Sequence, residues 1–172
     1  MQRPAHIPLR ATVLAAFVGL AVAPASVRAE PVIGLEARSE LAFAGEVAPS
    51  PALGATVGYA LDTYPLLLVP ELAVSGAWYP TLDGVGVVRA AAGARVGLTT
   101  IVEPALFVHA GYGALVGGGA VAHGAAVDAG LAVDKRLGRD LTLGGAVGYQ
   151  GFVAGDGSLH ALALAFRATF WL

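Results

Sequence analysis

From Val32 to Leu172, apolar and polar positions alternate with a period of two. That is the pattern of extended chain, whose successive side chains point to opposite faces. Eight segments carry it. In the first, Ile33, Leu35, Ala37, Ser39, Leu41 and Phe43 oppose Glu36, Arg38 and Glu40. Leu53–Asp62, Leu68–Trp78 and Val88–Leu98 follow, then Glu103–Tyr112, Gly124–Asp134, Leu141–Gln150 and Leu162–Leu172. Each is close to the roughly 9–11 residues that a tilted strand needs to cross a bilayer.

The polar faces hold Gly, Ala, Ser and Thr with a few charges, and the charges share a parity: Glu36 with Arg38 and Glu40, Arg89 with Arg95, Asp128 with Asp134. A lipid-facing Arg or Lys costs roughly 2–4 kcal/mol at the bilayer midplane, so this segregation suits an apolar face turned to lipid. The period alone also fits a soluble, lipocalin-like carrier with its apolar face inward.

Three features favour apolar-out. The polar faces are small enough to line a narrow lumen. The connections alternate in length: tight turns are expected at Asp62–Pro65, Thr99-Thr100 and Lys135–Arg139, with longer loops near Ala44–Pro51, Tyr79–Gly86, Leu115–His123 and Val153–Leu159. Short periplasmic turns with longer external loops mark outer-membrane barrels. Finally, Phe43, Trp78, Tyr112 and Tyr149 close the apolar faces toward the long loops, while Tyr59, Phe166 and Phe170 lie toward the other end. Two aromatic girdles are expected from these seven.

Composition strengthens this picture. Hydrophobic residues make up 56% of the 172, charged residues 13%, and mean hydropathy is +0.71. A soluble domain this apolar could not cover its surface with polar groups. A helical span over Ala105–Ala122 is disfavoured by glycines at 111, 113, 117, 118 and 119. Cysteine is absent, which excludes disulfides, thiolate metal sites and a lipidated cysteine. The net charge of −2 gives no reason to expect nucleic acid as a partner.

The first 29 residues read as a secretory signal peptide. Arg3 and Arg10 precede the apolar run Ala11–Ala25, and Val27-Arg28-Ala29 places small residues where a signal peptidase cuts. Residues 30–172 then form the mature domain, with 7 basic against 12 acidic side chains, a net charge of −5.

With these features the chain resembles the small outer-membrane barrels of the OmpA transmembrane-domain, OmpX and OmpW type, over about Val32–Leu172. The resemblance rests on the leader, the eight alternating segments, the turn and loop alternation and the C-terminal strand ending Phe166-Arg-Ala-Thr-Phe170-Trp-Leu172. Barrels of this kind usually end in an aromatic residue, and Leu172 departs from that. The resemblance implies an all-β, eight-stranded antiparallel up-and-down transmembrane β-barrel in the cell outer membrane of a Gram-negative envelope. It further implies insertion by the barrel-assembly machinery, contact with outer-membrane lipid and lipopolysaccharide, and a monomer.

Chemistry is sparse. The main constellation is a lumen charge network of Glu36, Arg38, Glu40, Glu71, Arg89, Arg95, Glu103, His109, Asp128 and Arg167, in which Arg95 and Glu103 flank the Thr99-Thr100 turn and should be partners. Paired charges would fill an interior only wide enough for side chains. Lipid A deacylases of similar size use a His-x-Ser pair with an acid. Here Ser158-Leu-His160 has the reverse order, and His109, His123 and His160 precede Gly, Ala and Leu at that spacing. Neither Gly111-Tyr-Gly113 nor Gly117–Gly119 has the setting of a phosphate loop, and no metal or cofactor motif is seen. The expectation is a non-enzymatic barrel with a structural, envelope or surface-interaction role exerted through its loops. A narrow pore for ions or small solutes is the alternative.

Overall fold

The computed structural model describes residues 28–43, 47–155 and 157–172. It consists of eight strands: β1 (Arg28–Phe43), β2 (Val47–Thr63), β3 (Leu66–Tyr79), β4 (Val85–Leu98), β5 (Glu103–Gly117), β6 (Ala120–Arg136), β7 (Leu141–Ala154) and β8 (Gly157–Trp171). Each pairs antiparallel with the next, and β8 closes on β1. The leader predicted over residues 1–29 lies outside the described residues, except for Arg28 and Ala29, which open β1 opposite Asp62 and Leu61.

The closure is staggered. Stepping across paired residues from Val32 leads through Gly58, Glu71, Gly93, His109, Asp128, Gln150 and Ala161, and returns to β1 at Ala42, ten residues along the strand. Such a stagger in eight strands tilts them about 35–45° and leaves an interior that side chains can fill.

The apolar faces point outward. Leu53, Leu72, Leu106, Leu131 and Leu164 are all exposed, whereas Glu40, Glu71, Arg89, Arg95, His109 and Arg167 are buried. This polarity is the reverse of a soluble calyx. All seven girdle aromatics are exposed on the outside. Phe166, however, pairs with Ala37 in the middle of β1, so it sits within the apolar belt rather than at its edge.

Among the described residues, most of the expected loop segments are strand. Strands run for 14–17 residues, and three of the four segments read as loops are largely strand, while Tyr79–Gly86 keeps a five-residue turn over residues 80–84. Val47–Pro51 continues β2, Leu115–Gly117 and Ala120–His123 continue β5 and β6, and Gly157–Leu159 opens β8. Connections at both ends span only two to five residues. The reason is local. Pro49 and Pro51 fall where β2 pairs with β1 but lies beyond its pairing with β3, so their missing N–H groups cost little. Gly118 and Gly119 both have positive φ (57° and 78°), which closes a two-residue hairpin whose twist matches the strands.

Candidate functional site

Three layers fill the barrel. Near the termini, Val32, Ala60, Leu67, Val69 and Trp171 form a small apolar floor. Trp171 donates its indole N–H to Thr142 Oγ1 at 2.8 Å, and the Arg136 guanidinium lies 3.8 Å over its ring. At the opposite end an apolar cluster includes Tyr79, Val87, Phe152, Leu159 and several alanines.

The middle layer is a ladder of alternating charge. Asp134 meets Arg95 at 3.1 Å, Arg95 meets Glu71 at 3.7 Å, and Glu71 meets His109 Nε2 at 2.9 Å. His109 Nδ1 lies 3.3 Å from Asp128, which lies 3.8 Å from Arg38; Arg38 pairs with Glu36 at 2.5 Å, and Glu36 with Arg167 at 3.2 Å. Gln150 donates to Asp128 at 2.8 Å. Both His109 nitrogens face carboxylate oxygens, so the ring bridges Glu71 and Asp128 in the middle of the ladder. A separate pair closes the top: Arg89 donates to Glu40 at 3.1 Å, and the Tyr79 hydroxyl donates to Glu40 at 2.5 Å.

The stagger explains how these groups meet. Glu71, Gly93, His109, Asp128 and Gln150 are consecutive on the path across the sheet. Gly93 is the spacer: a Cβ there would run into the Val108 carbonyl and the His109 ring, so only glycine lets His109 reach Glu71. Gly93→Val is therefore expected to cost about 1–3 kcal/mol or more by overpacking. Urea unfolding of the refolded barrel measures it, and an unchanged midpoint would dismiss the spacer role.

Of the ten residues read from sequence as lumenal, nine are buried on the inside, and Arg38 is half-buried with its guanidinium against Glu36. Their pairing differs from expectation in one place. The turn after β4 sets Gly97 opposite Ala105, so Arg95 faces Phe107 and pairs with Asp134 and Glu71, while Glu103 lies 3.6 Å from Arg136. Asp134, Tyr79, Gln150 and Arg136 also belong to the interior contacts; Asp134 was read on the inward parity but left out of the network, and the other three were missed. The alternation on β3, β6 and β7 put the first three on the inward parity, which was the available signal. Three internal cavities beside the ladder are each about 10 Å³, the room of a single water. The lumen is filled.

Outside the lumen, one rim holds a second cluster. His160 pairs with Phe43 at the end of β1, and its side chain, like that of Ser158, lies on the outward parity of β8. The Tyr149 hydroxyl is 2.5 Å from His160 Nδ1, and His160 Nε2 is 3.1 Å from Ser158 Oγ. Sequence order hid this cluster, because Tyr149 comes from the neighbouring strand. A second stack, Tyr112 on His123, lies on the β5–β6 hairpin at the same end. Between these hairpins an open basin of about 650 Å³ is lined by Leu82, Val85, Leu115, Phe152 and Leu159, with His123 and Ser158 on its wall.

No family model and no curated protein matches the chain. Solved structures do. The fold is similar to that of Neisserial surface protein A, at 11% identity and a TM-score of 0.71 over 84% of this chain and 99% of that one. It is also similar to the outer membrane enzyme PagL, at 12% identity and 0.62 over 78% and 97%. Ail, the attachment invasion locus protein of Yersinia pestis, solved with the heparin analogue sucrose octasulfate, matches at 11% identity and 0.57 over 84% and 99%. At such identities the likeness is one of architecture.

Proposed function

We propose that the chain is a monomeric outer-membrane barrel with a closed lumen, which serves the envelope structurally or through its outer rim rather than by conduction. The observation that carries this reading is the inverted polarity. Thirty-five large apolar side chains among the described residues are exposed on the outside. Leaving one such side chain in water forgoes roughly 1.5–3 kcal/mol, so in water the sum would exceed the roughly 5–15 kcal/mol by which domains are stable. Lipid removes that cost. The neighbouring folds, several of them from outer membranes, support the same location. Lipid and lipopolysaccharide are then the surroundings of the belt, and the barrel-assembly machinery the route of insertion.

The ladder supports closure, since every charge in it has an opposite partner and no cavity beside it exceeds a water. Cell fractionation is the direct test. The mature protein should partition with outer membranes and migrate differently on gels before and after heating; recovery from the soluble periplasm without detergent would defeat the reading. In planar bilayers the wild type should give no stable single-channel steps. Steps that change on Arg95→Ala would instead establish the narrow pore.

A further inference from the structure

The β5–β6 hairpin stands higher than its neighbour. β6 pairs with β5 up to Ala120 at the tip, but its pairing with β7 begins only at Ala125, opposite Val153. Among the described residues, no strand covers residues 120–124 on that side, and Ala120, Val121, Ala122 and His123 are all exposed. The girdle residue Tyr112 pairs with Ala125, so the uncovered segment starts where the girdle ends and rises on the water side. We propose that this edge docks an extended peptide segment of another protein, which adds to β6 as a strand and sets every second side chain, an apolar one, into the basin. The proposal deepens the role given above to the outer rim and rests on it.

The backbone groups are aimed for this. Gly118 and Gly119 are the centre of the turn, so the Gly117 carbonyl accepts from the Ala120 N–H. Along an antiparallel strand, successive residues turn their N–H and C=O groups to opposite sides. Ala120, Ala122 and Gly124 therefore serve β5, while Val121 and His123 present theirs to the open side. An unpaired edge is a template for another chain unless proline, charge or a bulge blunts it. β2 shows the blunting: its residues 47–51, beyond the pairing with β3, include Pro49 and Pro51, and Ala48 and Ser50 among them are buried. The β6 segment Ala-Val-Ala-His-Gly has no proline, carboxylate, lysine or arginine.

The partner's chemistry follows from what lies beneath the edge. A strand laid beside Ala122 alternates its side chains between outside and inside. The inside is the basin of about 650 Å³, which Ala122 helps to wall and which Leu82, Leu115, Phe152 and Leu159 line. Below it Tyr79, Glu40 and Arg89 seal the lumen, so the side chains enter a blind cup. Main-chain bonds to Val121 and His123 supply affinity for any extended chain, and the cup selects apolar residues at alternate positions. A second copy in the same membrane fits poorly, because its β6 descends toward the membrane in the same sense and cannot lie antiparallel to this one.

The test uses the full chain refolded in detergent micelles, with heat-modifiable migration as the sign of folding. The probe is a fluorescent heptapeptide alternating leucine and threonine, flanked by lysines for solubility. The wild type should bind it at least about tenfold more tightly than its central-proline and all-threonine counterparts. Val121→Pro removes an N–H from the open side only, and should weaken binding about tenfold; His123→Pro replaces it if that variant fails to fold. Ala122→Glu, which puts a charge on the cup wall, should weaken binding at least about tenfold. Hydrogen exchange read by NMR gives the signature. The peptide should slow the Val121 and His123 amides at least about tenfold, while those of Ala120 and Ala122, already bonded to β5, change little. Equal binding of the three peptides overturns the docked strand, and so does binding that leaves the Val121 and His123 amides unprotected. Protection of both amides without peptide, in a dimer that can be cross-linked, gives the edge to a second copy and overturns the proposal as well. Fractionation reads the barrel's location separately, so failure here and failure of the envelope reading are told apart.

Discussion

Replacing Glu40 by leucine is expected to destabilise the barrel by about 3–5 kcal/mol, more than any other single lumen substitution. Glu40 is fully buried (0% exposed) and accepts from both Arg89 and Tyr79. The leucine would leave a buried guanidinium with no counter-charge and a buried hydroxyl with no acceptor. The cost comes from what is left behind, not from the attraction lost. Hence the double variant Glu40→Leu with Arg89→Met should recover most of the loss, because a well-packed apolar pair can replace a buried ion pair at little cost. Denaturant unfolding of the single and double variants in lipid vesicles gives the cycle. Equal losses in the two would mean that the pair is water-filled and weakly coupled.

Leu164→Arg should cost about 2–4 kcal/mol in a bilayer, and its sign decides the solvent. Leu164 is 67% exposed on the outside of β8, opposite Ser39 and Val147. In water, exchanging an exposed leucine for arginine is close to neutral and aids solubility. In hydrocarbon it places a charge in the belt. Unfolding in vesicles that shows no loss would remove the membrane from the proposed function, whatever the fractionation gives.

The strands and their polarity were readable because a period of two has only two faces. The shared parity of Glu36, Arg38 and Glu40 already placed three charges on the inside of β1. Strand ends were not readable by propensity: Pro49, Pro51 and the glycines near 117 look like loop and are held extended by partners across the sheet. Gly118-Gly119 is the exception, since adjacent glycines between alternating runs mark a two-residue hairpin. Contacts across the lumen depend on the ten-residue stagger, which no local pattern encodes. Arg89 and Glu40 are 49 residues apart on strands that are not neighbours, and the guess of Arg95 with Glu103 failed because adjacency in the chain does not fix register. The rim series was hidden for the same reason, as Tyr149 and His160 meet only through the β7–β8 register.

The short connections have one more consequence. Proteases nick exposed loop tips that can be drawn out into an extended substrate. This barrel offers connections of two to five residues between long paired strands at either end. A protease added to intact cells should find almost nothing to cut, and an antibody raised against linear peptides almost nothing to grip. At the basin end such reagents would meet only short hairpins and the cup within them.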